Sequence, residues 1–363
     1  MMNIAQVAPL YESVPPKLYG GTERVVSYLT EELVRQGHAV TLFASADSET
    51  SARLVPSSPR ALRLDSECVD PLAHHFLMLE KVFEEAANFD IIHFHCDYLH
   101  LPWSRRHAVP HLTTLHGRLD LPDLVPLYRE FSEVPVISIS NAQRSPLPWL
   151  NWQGTVYHGL PATLYQFHSS PGRYLAFLGR ICPEKGVDQA IEIAKRAGIE
   201  LRIAAKVDRV DEQYFKEVIQ PLLNDPLVQF VGEVSDQDKD DFLGNALALL
   251  APINWPEPFG IAMIEALACG TPVIAFARGS VPEVVDNCQS GFIVQTMEEA
   301  ISAIGKLHLL KRQACRQTFE RRFTASRMAA DYVAVYSRLV DATPALEPSA
   351  PSRESGSWTI SSA

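Results

Sequence analysis

Short apolar runs of buried-strand type recur along this chain, and stretches of helical periodicity separate them. Residues 3–8 read as a first strand, followed by a long loop ending in Leu18-Tyr19-Gly20-Gly21. A helix is expected over about 22–36, stopped by Gly37, and a second strand over 39–44. A helix over 74–88 and strands over 90–95, 111–115 and 135–140 extend the pattern. A polar, turn-rich segment, 168–173, then interrupts it. A second series follows, with strands over 175–178, 201–205, 228–231, 273–276 and 291–294 and a helix from about Val187. Over 323–340 the apolar residues Met328, Tyr332, Val335, Tyr336 and Leu339 form a helical stripe. The pattern predicts an α/β protein with two Rossmann-like domains, 1–167 and 172–322, and a final helix over 323–341. Residues 342–363, rich in Pro and Ser, are expected to form a disordered tail.

Composition narrows the function classes. A chain of 363 residues can carry two cores. A net charge of −11 argues against a nucleic-acid partner. The six cysteines have no paired spacing, which suits free thiols in a reducing compartment. No apolar run reaches the ~18–20 residues of a membrane span, and the N-terminus reads as a strand instead of a signal peptide. A cytoplasmic protein is expected.

The candidate chemistry centres on residues 254–276. Helix formers over 261–268 lie between Gly260 and Gly270, and Pro272 leads into the apolar run 273–276. Glu257 precedes that helix and Glu265 lies within it. Carboxylates in such apolar surroundings need hydrogen-bond donors, which a polyol supplies, and the helix start suits a phosphate. Arg180 and Lys185, five positions apart on a strand-to-helix loop, can converge on one anion. Gly20 and Gly21 stand before the first helix, where backbone amides can approach a ligand. Ser140-Asn141 ends a strand of the first series, where open α/β sheets bind ligands. Most of the twelve histidines fall between residues 74 and 116, yet none shows the i, i+4 helical spacing of a metal site beside a carboxylate. Of these, His93 and His95 share a strand face. The run Asp236 to Asp241 follows Ser235 and precedes Phe242-Leu243, as a capped, exposed helix start does. No metal site is expected.

The string EPFGIAMIEALACGTPVIA, starting at Glu257, resembles the donor-site signature of the retaining glycosyltransferase family 4, with its E-x7-E pair. Further resemblances follow in that family's order. They are the Gly20-Gly21 loop, Thr113-Thr114-Leu115-His116-Gly117, Gly179-Arg180 with Lys185-Gly186, Gly232-Glu233-Val234, and Arg278 to Glu283. His158 departs from the pattern, since many relatives carry Asn there. The resemblance implies the GT-B architecture, with parallel sheets facing across a cleft and the last helix returning to the first domain. It also implies transfer of a sugar from a nucleotide-diphosphate sugar to an acceptor hydroxyl with retention, without cofactor or metal. Glu257 would then hold sugar hydroxyls and Glu265 the ribose. Amides at Phe259, Gly260 and Ile261 would approach sugar and diphosphate, and Gly232 would stand near the base. Arg180 and Lys185 would hold the diphosphate, and His116 would lie beside the cleaved bond. The acceptor stays open among carbohydrate, natural-product and lipid-linked compounds. Acidic residues outnumber basic ones across 1–165, which gives membrane association little support. Rival readings are a nucleotide-sugar epimerase and a non-catalytic sugar-nucleotide binder. A nicotinamide-dependent oxidoreductase should show GxGxxG, which is absent.

Overall fold

The computed structural model describes residues 1–17 and 20–342, so the tail expected over 342–363 lies, but for its first residue, outside the described residues. Two parallel sheets organise the chain. The first contains β1 (Asn3–Val7), β2 (Ala39–Ser45), β3 (Arg53–Ser58), β4 (Ile91–Phe94), β5 (His111–Thr114), β6 (Val136–Ser138) and β7 (Trp152–Thr155). Its order is β3-β2-β1-β4-β5-β6-β7. The second contains β8 (Tyr174–Arg180), β9 (Leu201–Lys206), β10 (Val228–Gly232), β11 (Ala246–Ala251), β12 (Val273–Phe276) and β13 (Gly291–Val294). Its order is β10-β9-β8-β11-β12-β13. Ile4 pairs with Val40 on one side and Ile91 on the other, so the first strand is central. Leu175 of β8 is placed likewise, between Leu201 and Ala248. Strand order reverses at β1/β4 and at β8/β11. Loops leaving the carboxyl ends of strands at such a reversal splay apart and leave a crevice.

Both faces of each sheet are covered, which explains why the strands read as continuous apolar runs. On one face of the first sheet, Val25, Leu29 and Leu33 of the helix Gly21–Arg35 pack with Ile4 and Ile91. Met328, Tyr332 and Tyr336 of the helix Ala325–Ala342 join the same cluster. The last helix among the described residues therefore covers the sheet that begins with the chain's first strand. The opposite face packs Val7, Phe43 and Phe94 against Met78, Leu79 and Val82. The chain crosses back beside its own first crossing, where Leu160 N donates to Phe323 O and Ala325 N to Leu160 O.

Several expectations need correction. Strands β3, β7 and β11 were not legible as strands. Pro56 interrupts β3, which a sheet tolerates at its edge, where β3 lies. The Ala-Leu alternation of β11 matches helix formers as well as it matches a buried strand. The first strand of the second series runs on through Arg180, so Arg180 belongs to the strand end and Lys185 to the turn Pro183–Lys185. The last helix extends through Ala342, one residue into the expected tail. No helix among the described residues is long and apolar enough to cross a membrane.

Candidate active site

A cleft of about 680 Å³ opens between the two sheets, at both strand-order reversals. Gly20, Gly21 and His116 reach it from the first half, and Arg180, Lys185, Glu257, Phe259, Gly260, Ile261 and Glu265 from the second. Gly232 does not line it, although its neighbours Glu233 and Val234 do. Asn141 also stays outside, where its amide N–H binds Glu283.

Glu257 sits on the loop after β11 and is only 6% exposed. Its carboxylate accepts from Trp255 Nε1 at 3.0 Å and from the Lys185 ammonium. Its carbonyl accepts from Ser280 N at 2.9 Å, and a Cβ on Gly279 would come within 2.3 Å of that oxygen. Only glycine allows this close approach, so Gly279 fixes the height of the Glu257 loop. Gly260, at φ +80°, then turns the chain into the helix Ile261–Ala268, whose first turn opens on the cleft.

Glu265 is 3% exposed and accepts from Tyr165 Oη at 3.0 Å and Lys239 Nζ at 2.9 Å. Lys239 also reaches Asp236 Oδ1 at 3.1 Å, and Asp236 pairs with Arg24 of the first half. A ladder of alternating charge thus runs from Glu265 across the cleft to the helix Gly21–Arg35. Ser235 caps the helix Asp236–Gly244, as its sequence suggests, accepting from Asp238 N. Asp236 is nevertheless no plain exposed helix start, because it holds two cations at the cleft wall. Arg24 and Lys239 were missed by sequence reasoning. Lys239 had a weak signal in its position three residues after Asp236. Arg24 had none, because its partner is more than two hundred residues away.

Arg180 pairs with Asp208 and Asp211 at 3.7 and 3.4 Å, and Lys185 with Glu257, so the two cations have separate carboxylate partners. Among the described residues no group of three or more His, Cys, Asp or Glu side chains is placed to hold a metal ion.

The histidines stack beneath this wall. His116 Nε2 lies 2.9 Å from His95 Nδ1, and its ring stacks on His158 at 5.3 Å. Burial pushes His116 down to about 3, and it drives His93, His95, His100 and His158 well below the ordinary value, with neighbouring histidines adding to the shift. These rings are neutral at physiological pH. Below about pH 6.5 the unfolded chain takes protons that the folded chain refuses, so stability falls with falling pH by up to about 1.4 kcal/mol per histidine per unit. Glu12, Glu23, Asp97 and Asp211, raised by burial, with Glu23 and Asp97 at about 6, act in the opposite sense as pH falls through 6, but they are fewer than the histidines. Urea unfolding at pH 7, 6 and 5 should show this decline. A flat or rising stability would contradict neutral histidines.

Two family models match the chain. "Glycosyltransferase Family 4" matches residues 19–178 and "Glycosyl transferases group 1" residues 166–321. Each covers somewhat less than half of the chain, and together they span both sheets and mark the chain as a glycosyltransferase. Its similarities to individual proteins are more distant. The D-inositol 3-phosphate glycosyltransferase of Mycolicibacterium smegmatis is 25% identical over 340 residues, covering 76% of this chain and 75% of that protein. The sucrose-phosphate synthase of Thermosynechococcus elongatus shares the fold with a TM-score of 0.76 at 20% identity, over 94% of this chain and 100% of the other. Anabaena HepE, solved with UDP-glucose, aligns with a TM-score of 0.70 at 18% identity, over 93% and 100%.

Proposed function

We propose that this glycosyltransferase moves a sugar from a nucleoside diphosphate sugar to a hydroxyl of a carbohydrate or polyol acceptor, with retention and without a divalent metal. The observation that carries the reading is that Glu257 and Glu265, both buried, line the same cleft as Arg180 and Lys185. An ionised carboxylate offers about four acceptor sites, and each glutamate uses only some of its own on protein donors. Capacity therefore remains for sugar hydroxyls at Glu257 and for the ribose at Glu265. Arg180, Lys185 and the first turn of the helix Ile261–Ala268 supply positive potential for the departing diphosphate. The acceptor hydroxyl would attack the anomeric carbon from the face the leaving group departs. Retention rests on the resemblance of the Glu257 string to family 4. HepE, as a UDP-glucose complex, supports the donor class. The inositol-phosphate and sucrose-phosphate enzymes support a small polyol or sugar acceptor. Free cysteines throughout the described residues fit a reducing cytoplasm.

A thermal-shift screen against uridine, adenosine and guanosine diphosphate sugars tests the donor. At a hundredfold excess over Kd one ligand should stabilise the native chain by about 2.7 kcal/mol. No shift with any nucleotide would overturn the donor reading. With the donor identified, transfer should continue after exhaustive chelation. Activity lost to a chelator and restored by magnesium or manganese would return the Asp236 run to the chemistry. An inverted anomeric proton in the product would remove retention.

A further inference from the structure

His95 lies directly behind the cleft wall and has no part in the transfer described above. It belongs to a continuous buried chain of hydrogen bonds. His93 Nδ1 lies 2.7 Å from Tyr336 Oη, Gln6 Nε2 donates to that hydroxyl at 3.1 Å, and Gln6 Oε1 lies 2.8 Å from His95 Nε2. His95 Nδ1 then meets His116 Nε2 at 2.9 Å. Gln6, His93, His95 and Tyr336 are each no more than 2% exposed, so the chain is closed off from bulk solvent along its length. It draws on β1, β4, β5 and the last helix, and it ends at the one member that lines the cleft. His116 Nδ1 is itself buried and has no hydrogen-bond partner among the described residues.

We propose that Gln6 and His95 are positioning residues that hold His116 as the Nε2–H tautomer, leaving Nδ1 bare to accept a hydrogen bond from a hydroxyl of the bound sugar. The argument is one of valence. A carbonyl oxygen only accepts, so the proton opposite Gln6 Oε1 belongs to His95 Nε2. His95 is neutral in this dry setting, so its Nδ1 carries a lone pair. The bond between the two rings then requires His116 Nε2 to donate, and a neutral His116 keeps no proton for Nδ1. At the other end the Tyr336 hydroxyl takes the Gln6 N–H and gives its own proton to His93 Nδ1. His93 Nε2–H faces Thr114 Oγ1 at 2.8 Å, which is consistent with this polarity. Reversing every bond also satisfies the chain, and it would make Nδ1 a donor. The Gln6 amide, with its oxygen toward His95, selects the first polarity. A second-layer residue that fixes the tautomer of a site histidine in this way also fixes which sugar oxygen or proton the site can read.

The hydroxyl contact rests on the glycosyl-transfer reading, whereas the tautomer does not. Nitrogen NMR of the full-length protein labelled in its histidine rings reads the tautomer with no donor present, and His116→Gln identifies the His116 signals. Protonated Nε2 and bare Nδ1, unchanged from pH 8 to pH 5, are expected. A protonated Nδ1 or a titrating ring would overturn the proposal. Gln6→Leu removes the acceptor and should mix the tautomers. It should also lower kcat about tenfold, the worth of one neutral hydrogen bond, with donor KM within about twofold. Lost stability with the His116 signals unmoved would show Gln6 to be structural only, and would also overturn it. The expected tautomer in a chain that transfers no sugar would instead count against the proposed function.

Discussion

Replacing Glu257 by alanine should lower turnover about 10²-fold or more, the usual effect of removing a charged hydrogen-bonding group aimed at the reacting sugar. The carboxylate is almost fully buried between Trp255 and Lys185, on a loop whose carbonyl is held by Ser280. Its position is thus set before any ligand arrives, and preorganisation makes such a group effective. Glu257→Gln keeps the shape and one acceptor oxygen but removes the charge, so it should fall between wild type and alanine. Steady-state kinetics on both variants, with unfolding curves as a check, separate the contributions. Equal kcat in wild type and Glu257→Ala would remove Glu257 from the site.

Lys185→Ala should cost about 2–4 kcal/mol of transition-state stabilisation, read from kcat/KM. Lys185 lies in the turn Pro183–Lys185, and the left-handed Gly186 (φ +69°) then starts the helix Val187–Ala197. A Cβ at Gly186 would come within 2.1 Å of Pro252 O, so the turn is pinned against the loop that leads to Glu257. The ammonium therefore stands beside Glu257, where, under the proposed function, it would turn to the departing diphosphate as negative charge develops there. Lys185→Arg keeps the charge with a different shape and should recover part of the loss. A kcat/KM for Lys185→Ala within twofold of wild type would assign the leaving-group charge to Arg180 and the helix start alone.

What was legible early has a common physical origin. The Glu257-to-Phe276 stretch packs its loop, helix and strand into one local unit, so its capping glycines and apolar runs are written contiguously. Gly20 and Gly21, His116 and Arg180 were legible because they stand at strand ends or helix starts, and strand runs and helix stops mark those positions. The strand β11 was not legible, although it lies beside β8 in its sheet, because Ala and Leu serve a helix and a buried strand equally.

While the parallel sheets were implied by the family resemblance, the sequence by itself determined two α/β halves, the order of the loops that line the cleft, and an amphipathic helix after them. These follow from periodicity and from residues whose backbone needs are local. Only the tertiary structure decided the ladder from Glu265 through Lys239 and Asp236 to Arg24, and the buried chain from Tyr336 through Gln6 and His95 to His116. Both join side chains far apart in the chain, and Tyr336 stands 330 residues from Gln6. No period or cap encodes such a partner. The choice of partner arises when the last helix lies down on the first sheet, where a buried polar atom must be paired or pay its full desolvation.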